Sequence, residues 1–186
     1  LNTIYGFTLK KGDEAPEMIL KLSNLLDYIL YQIEKPTVSL ENEMNHLEDY
    51  IALEKLRFHD TLKINFDRGS FSDAIFIAPM LLIPFVENSF KHGSIIEGFL
   101  TIEISLRVKE DFLVFEVVNS ILGNQNGSKG IGLDNIQKRL EMLYPNTHDL
   151  KISQREEQFK VSYLWEACLM LAYSCFQSKK AVLFLL

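Results

Sequence analysis

Pro84-Phe85-Val86-Glu87-Asn88-Ser89-Phe90-Lys91-His92-Gly93 sets an acid, an amide, a cation and an imidazole close together in the second half of an otherwise apolar helical stretch. At 3.6 residues per turn, Asn88, Lys91 and His92 share one face, because residues three and four apart are neighbours on a helix. Leu82, Phe85, Val86, Ser89 and Phe90 point the other way, into a core. Packing gives so apolar a helix no reason to gather an amide and two basic groups. A phosphate-bearing ligand with a metal ion supplies one. The amide oxygen of Asn88 is a hard, neutral ligand suited to Mg²⁺, which keeps waters and shares phosphate oxygens. Lys91 and His92 are then placed for phosphate oxygens.

Further along, Gly130-Ile131-Gly132-Leu133-Asp134-Asn135 opens a helix predicted over 131–144 and stopped by Pro145. Helix N-termini carry free N–H groups and partial positive charge, and glycine lets a ligand come close to that backbone. The stretch fits neither the dinucleotide GxGxxG fingerprint nor a GxxxxGK[ST] loop. Asn119 ends the strand before the polar, Gly-containing loop 120–130; it either reads a base edge or starts a turn with Ser120.

The rest of the chain divides by pattern. Residues 1–60 read as helical, with Gly12-Asp13 setting off a first helix over 1–11. Ile19, Leu22, Leu26, Ile29 and Ile33 form a heptad seam, and Met44, Leu47, Ile51 and Phe58 a later one interrupted by Glu54. Pro36 separates the two helices and Ser39 caps the second. The hairpin is either a helical bundle with its own core or half of a dimeric four-helix bundle, and the dimer is favoured because a hairpin alone buries too little apolar surface. Residues 61–162 change character. Leu62–Phe66 and Thr101–Val108 alternate as strands, Phe112–Val118 completes a hairpin, and Leu150–Ile152 and Phe159–Val161 give a last pair. Pro79 is expected in the first turn of the helix that carries Asn88. The implied architecture is α+β: a two-layer sandwich with helices on one face of a mixed, largely antiparallel sheet, preceded by a helical hairpin. Residues 163–186 fit no part of this pattern and are read as a helix docked on an apolar surface or a tail unrelated to the domain.

Net charge is −6 with scattered basic residues, which disfavours a nucleic-acid partner. Cys168 and Cys175 form no CxxC and have no neighbouring His, so a metal site there is not expected and a reducing compartment is. No signal peptide and no long uninterrupted apolar run stand in the sequence. The chain opens at Leu1 rather than Met, and is read as part of something longer with any membrane segment upstream.

The helix motif, the strand-end polar residue and the glycine helix start, in that order, resemble the ATP-binding domain shared by sensor histidine kinases, gyrase B, Hsp90 and MutL (the GHKL type). Glu87-Asn88 through His92-Gly93 is similar to its N box, Asn119 falls at its adenine-reading acid, and Gly130-Ile131-Gly132 is similar to its second glycine box. Leu1-Asn2-Thr3-Ile4-Tyr5, Leu53-Glu54-Lys55-Leu56-Arg57-Phe58, Pro79–Pro84 and Ile131–Leu140 resemble the LytS-type (YpdA-like) sensor histidine kinases. The resemblance covers about residues 1–162. It implies Mg²⁺ and ATP as cofactors, with Asn88 as metal ligand and Asn88, Lys91, His92, Asn119, Gly123, Gly130, Gly132 and Leu133 around the nucleotide.

It also implies γ-phosphoryl transfer to a His and relay to an Asp on a response regulator. Homodimerisation would run through the helical region 1–60, and the location would be the cytoplasmic portion of a bacterial inner-membrane protein. Glu87 is the candidate base or orienter for the acceptor imidazole, or else a surface carboxylate preceding the metal ligand.

This sequence departs from the family pattern in several places. None of His46, His59, His92 and His148 occupies the NPHFLFN-like phosphoacceptor motif, so the acceptor is expected outside this chain. Asn119 replaces an acid, and Ile121 and Leu122 thin the first glycine box to Gly123. A regulatory module with a degenerate nucleotide site is the alternative. A hydrolysing clamp of the gyrase type is disfavoured, because its water-activating Glu falls at Pro84.

Overall fold

The computed structural model describes residues 15–109, 112–123, 131–166 and 168–169. Helix α1 spans Ala15–Gln32 and helix α2 spans Leu40–Phe58. Ser39 caps α2, its hydroxyl accepting from the Asn42 N–H at 3.2 Å. Met44, Leu47 and Ile51 bury the predicted seam of α2. The seam predicted on α1 is not its inward face. Ala15, Met18, Leu25 and Tyr28 are buried, whereas Ile19, Leu26, Ile29 and Ile33 are 40–50% exposed. Within one chain the two helices pack on the neighbouring stripe and leave the heptad seam to solvent.

Strands β1 (Val38–Ser39), β3 (Ile75–Ile77) and β8 (Cys168–Leu169) make a small antiparallel sheet in the order β1-β3-β8. The main sheet holds β2 (Leu62–Asp67), β4 (Leu100–Lys109), β5 (Phe112–Ser120), β6 (His148–Arg155) and β7 (Gln158–Glu166), in the order β2-β4-β5-β7-β6. Only β2–β4 is parallel; the other pairings are antiparallel. Strict alternation decides the faces. Leu100, Ile102, Ile104 and Leu106 point inward with Leu113, Phe115 and Val117, and Thr101, Glu103 and Arg107 point outward. Helices α3 (Ile83–His92) and α4 (Ile131–Leu143) cover the inward face through Phe85, Val86, Phe90, Ile136 and Leu140. The α+β two-layer sandwich read from the sequence is therefore the observed fold.

Two local expectations are corrected. Helix α3 starts at Ile83, after an N-cap at Leu82, so Pro84 and not Pro79 lies in its first turn. Pro79 instead sits in the turn before the helix, where its carbonyl accepts from Arg139 Nη2 at 2.5 Å. Residues 163–166 are strand, not helix. Strand β7 runs to Glu166, and Tyr163 and Trp165, both fully buried, stack with centroids 4.4 Å apart. Tyr163 also stacks on Phe85 of α3 at 5.7 Å, which ties the end of the sheet to the helix that carries Asn88.

Candidate functional site

The site is built along α3. Its apolar face, Ile83, Phe85, Val86, Ser89 and Phe90, is buried, which fixes the rotation of the helix and turns Asn88 to the half-exposed flank beside α4. There Asn88 meets the start of α4: a Cβ placed on Gly132 would lie 3.1 Å from Asn88 Oδ1. A side chain at 132 would press on that amide, which would have to give by a few tenths of an ångström. Two motifs more than forty residues apart in sequence thus come together.

Asn119 approaches the other end of α3. It is 3% exposed, and its Nδ2 donates to the Ser120 carbonyl at 3.1 Å, which leaves Oδ1 as the acceptor of that amide. A Cβ on Gly93 would lie 3.5 Å from Asn119 Nδ2 and only 2.5 Å from both Ser89 O and Leu100 Cδ1, so no side chain fits at position 93. Ser120 ties this corner together, its carbonyl accepting from Ser94 N at 2.8 Å and its hydroxyl donating to Ser94 O at 2.7 Å. Asn88 and Gly93 are five residues apart, about 7.5 Å along the helix axis at 1.5 Å per residue.

The remaining predicted residues fall around this axis. Lys91 and His92 are exposed on the last turn of α3, where positive charge complements the helix dipole. Glu87 is exposed on the flank toward α2, and its charge contributes to raising the Tyr50 hydroxyl, after burial and Glu54. Leu133 is partly buried against the core. Gly123 adopts φ +65° and its carbonyl accepts from Gln154 Nε2 at 3.1 Å. Gly130 and the loop 124–130 lie outside the described residues. Among the described residues, no group of three or more His, Cys, Asp or Glu is placed to hold a metal, and no helix is long and apolar enough to cross a membrane.

Sequence reasoning missed Glu43. This α2 residue is fully buried and accepts from Tyr28 Oη and from the backbone N–H groups of Met80, Leu81 and Leu82. Burial pushes its carboxyl above the usual range, against those four hydrogen bonds, which pull the other way. The only hint in the sequence is its position one before Met44 of the apolar seam, and the acidic cluster Glu41-Asn42-Glu43 at a helix start hides it. His46, one turn on, stacks on Tyr28 with centroids 4.0 Å apart, and burial holds its imidazole down to about 4.

The histidine kinase family model matches residues 1–62. Over 156 residues the chain is 27% identical to sensor histidine kinase YpdA of Escherichia coli K12, covering 77% of this chain and 27% of that protein. It is 33% identical over 93 residues to sensor protein kinase HptS of Staphylococcus aureus USA300, covering 50% of this chain and 18% of that one. The chain thus spans about a quarter or less of the curated relatives it matches. In fold it is similar to the histidine kinase domain of the Erythrobacter litoralis EL346 blue-light activated histidine kinase. There the TM-score is 0.58 at 12% identity, covering 90% of this chain and 80% of that one. Family model and sequence relatives both point to sensor histidine kinases, the fold is similar to that of a histidine kinase domain, and together they support a likeness to a YpdA-like sensor kinase fragment.

Proposed function

We propose that this chain binds Mg²⁺-ATP between α3, the loop after β5 and the start of α4, and serves the phosphorylation of a histidine in a two-component system. The observation that carries this reading is the approach of Asn88 Oδ1 to Gly132, an oxygen ligand beside a helix N-terminus in a cradle that a Cβ would crowd. The donor set fits. One neutral amide oxygen suits a cation that brings its own phosphate oxygens and waters. Bound there, Mg²⁺-ATP supplies the γ-phosphoryl group and neutralises its developing charge. The work of the chain is positional. Asn88 orients the metal-bearing end, the first N–H groups of α4 face the phosphates, Lys91 and His92 add positive charge, and Asn119 Oδ1 accepts from the base at the far end of α3. Glu87, on the flank toward α2, orients the acceptor imidazole.

The acceptor lies outside these 186 residues. His46 is buried, stacked and held neutral, so it is poorly placed to be phosphorylated. Residues 1–60 act as the dimerisation and phosphotransfer region, with the exposed α1 seam as the contact between two copies. Residues 61–162, extended by the end of β7, act as the nucleotide-binding unit. The phosphorylated histidine passes its phosphoryl group to an aspartate of a response regulator, on the cytoplasmic side of the inner membrane.

Titration with a fluorescent ATP analogue tests the reading. Saturable, Mg²⁺-dependent binding is expected for the wild type, and none for Asn88→Ala with an unchanged circular dichroism spectrum. Gly132→Ala is the sharper variant. Alanine favours a helix by up to about 1 kcal/mol over glycine, so thermal stability holds or rises while affinity falls. No saturable binding by the wild type would favour the degenerate regulatory module, and equal affinity in all three proteins would remove Asn88 and Gly132 from the site.

A further inference from the structure

The N-terminus of α3 lacks a cap of its own. Its N-cap residue is Leu82, which has no side-chain hydrogen bond to offer. Free N–H groups at a helix start need acceptors, and a buried end without them is unfavourable. The acceptor comes from another element. Glu43 of α2 places Oε2 3.1 Å from Leu81 N and 3.3 Å from Leu82 N, and Oε1 2.6 Å from Met80 N and against the Tyr28 hydroxyl of α1. The same turn is gripped from the opposite side. Arg139 of α4 donates to Met80 O at 2.8 Å and to Pro79 O at 2.5 Å, and Ala78 N donates to the Tyr144 hydroxyl at 2.9 Å. Met80 holds a positive φ of 55°, so this short turn is pinned in an uncommon conformation for a non-glycine residue.

We propose that Glu43 is a positioning residue for the nucleotide site, linking the α1–α2 hairpin through the turn 79–82 to the placement of Asn88. The proposal rests on the nucleotide reading of Asn88 above. Asn88 follows Leu82 by six residues, less than two helical turns, and its contact with Gly132 is set by how α3 is seated. Glu43 seats the N-terminal end of α3 from the hairpin, and Arg139 ties the same turn to the helix that begins beside Gly132. A displacement of the hairpin is thereby passed to Asn88 by hydrogen bonds to backbone, with no side chain of the site itself involved.

Glu43→Gln in the full chain tests this, because a carboxamide has one oxygen. Whichever way it turns, its NH₂ faces N–H or O–H donors on one side. Two readouts separate positioning from bulk stability. In hydrogen–deuterium exchange, the amides of 86–92 should exchange several-fold faster while those of β4 and β5 keep their rates. In the Mg²⁺–analogue titration, Kd should rise roughly ten-fold at unchanged stoichiometry, as displaced binding groups produce. Uniformly faster exchange, or lowered stoichiometry at constant Kd, would reduce Glu43 to a stability element and overturn the proposal. A wild type that binds no analogue would refute the nucleotide reading instead, and the exchange pattern would still decide whether Glu43 seats α3. If Glu43→Gln does not fold, Arg139→Gln releases the same turn from its other side. Unchanged α3 exchange in that variant overturns the proposal equally.

Discussion

A single buried imidazole makes the hairpin sensitive to acid. His46 is 5% exposed, and its pKa falls from 6.5 to about 4 through burial, partly opposed by Asp49. Because the folded value lies below the unfolded one, the unfolded chain binds more protons between these limits. Stability from this group is full above about pH 6.5 and is lost as pH falls toward 4. His46→Phe keeps a ring on Tyr28 and removes the titration. The difference in unfolding free energy between wild type and variant should shrink in favour of the variant on acidification; a pH-independent difference would contradict this. The same scale shows what a sequence reveals. Asn88 and Gly132 were legible because an amide on an apolar helix and a glycine at a helix start break local pattern. Glu43 was not, because an acid in the first turn of a helix obeys the dipole preference and breaks nothing. Its meaning comes from the turn 79–82, which reaches it only in three dimensions.

At the scale of elements, strand alternation was the dependable signal, since each of β4 and β5 shows one face to the core. The end of β7 was illegible because an apolar run follows it without a turn residue, so Tyr163 and Trp165 merged with the tail. Their stack makes Trp165→Ala a severe change. A loss of about 3–5 kcal/mol is expected in denaturant unfolding, the range for large buried aromatics. A loss below 1 kcal/mol would mean that the end of β7 contributes little. Helix α1 yields the opposite lesson. Its heptad seam was read correctly as a pattern and assigned to a helix partner, but the partner within the chain takes the adjacent stripe of Met18, Leu25 and Tyr28. The open stripe predicts a dimer by sedimentation equilibrium, and Leu26→Glu with Ile29→Glu should convert it to monomer. A double variant that sediments like the wild type would remove α1 from the dimer contact.

For the whole molecule, the fold class followed from strands and helices in their order, whereas the sheet order did not. The parallel pairing of β2 with β4 joins residues about forty apart across an intervening helix, and no local pattern encodes it. That crossover matters for function, because it sends the chain through the turn at 79–82 and along α3 before returning to the sheet at Leu100. The hairpin, the turn and the proposed nucleotide-binding face are consecutive in space as well as in sequence. In a phosphotransfer assay with γ-³²P-ATP, the chain should leave itself unlabelled and label a supplied hairpin that carries the acceptor histidine. Acid-labile label on the chain alone would place the acceptor among its own histidines.

The most direct measurement follows the Asn88 side-chain amide and the Gly132 backbone amide by ¹H–¹⁵N NMR during a titration with AMP-PNP. The account predicts that both signals shift together and saturate only when Mg²⁺ is present. Signals that stay fixed while AMP-PNP binds elsewhere, or that move equally without Mg²⁺, would contradict it.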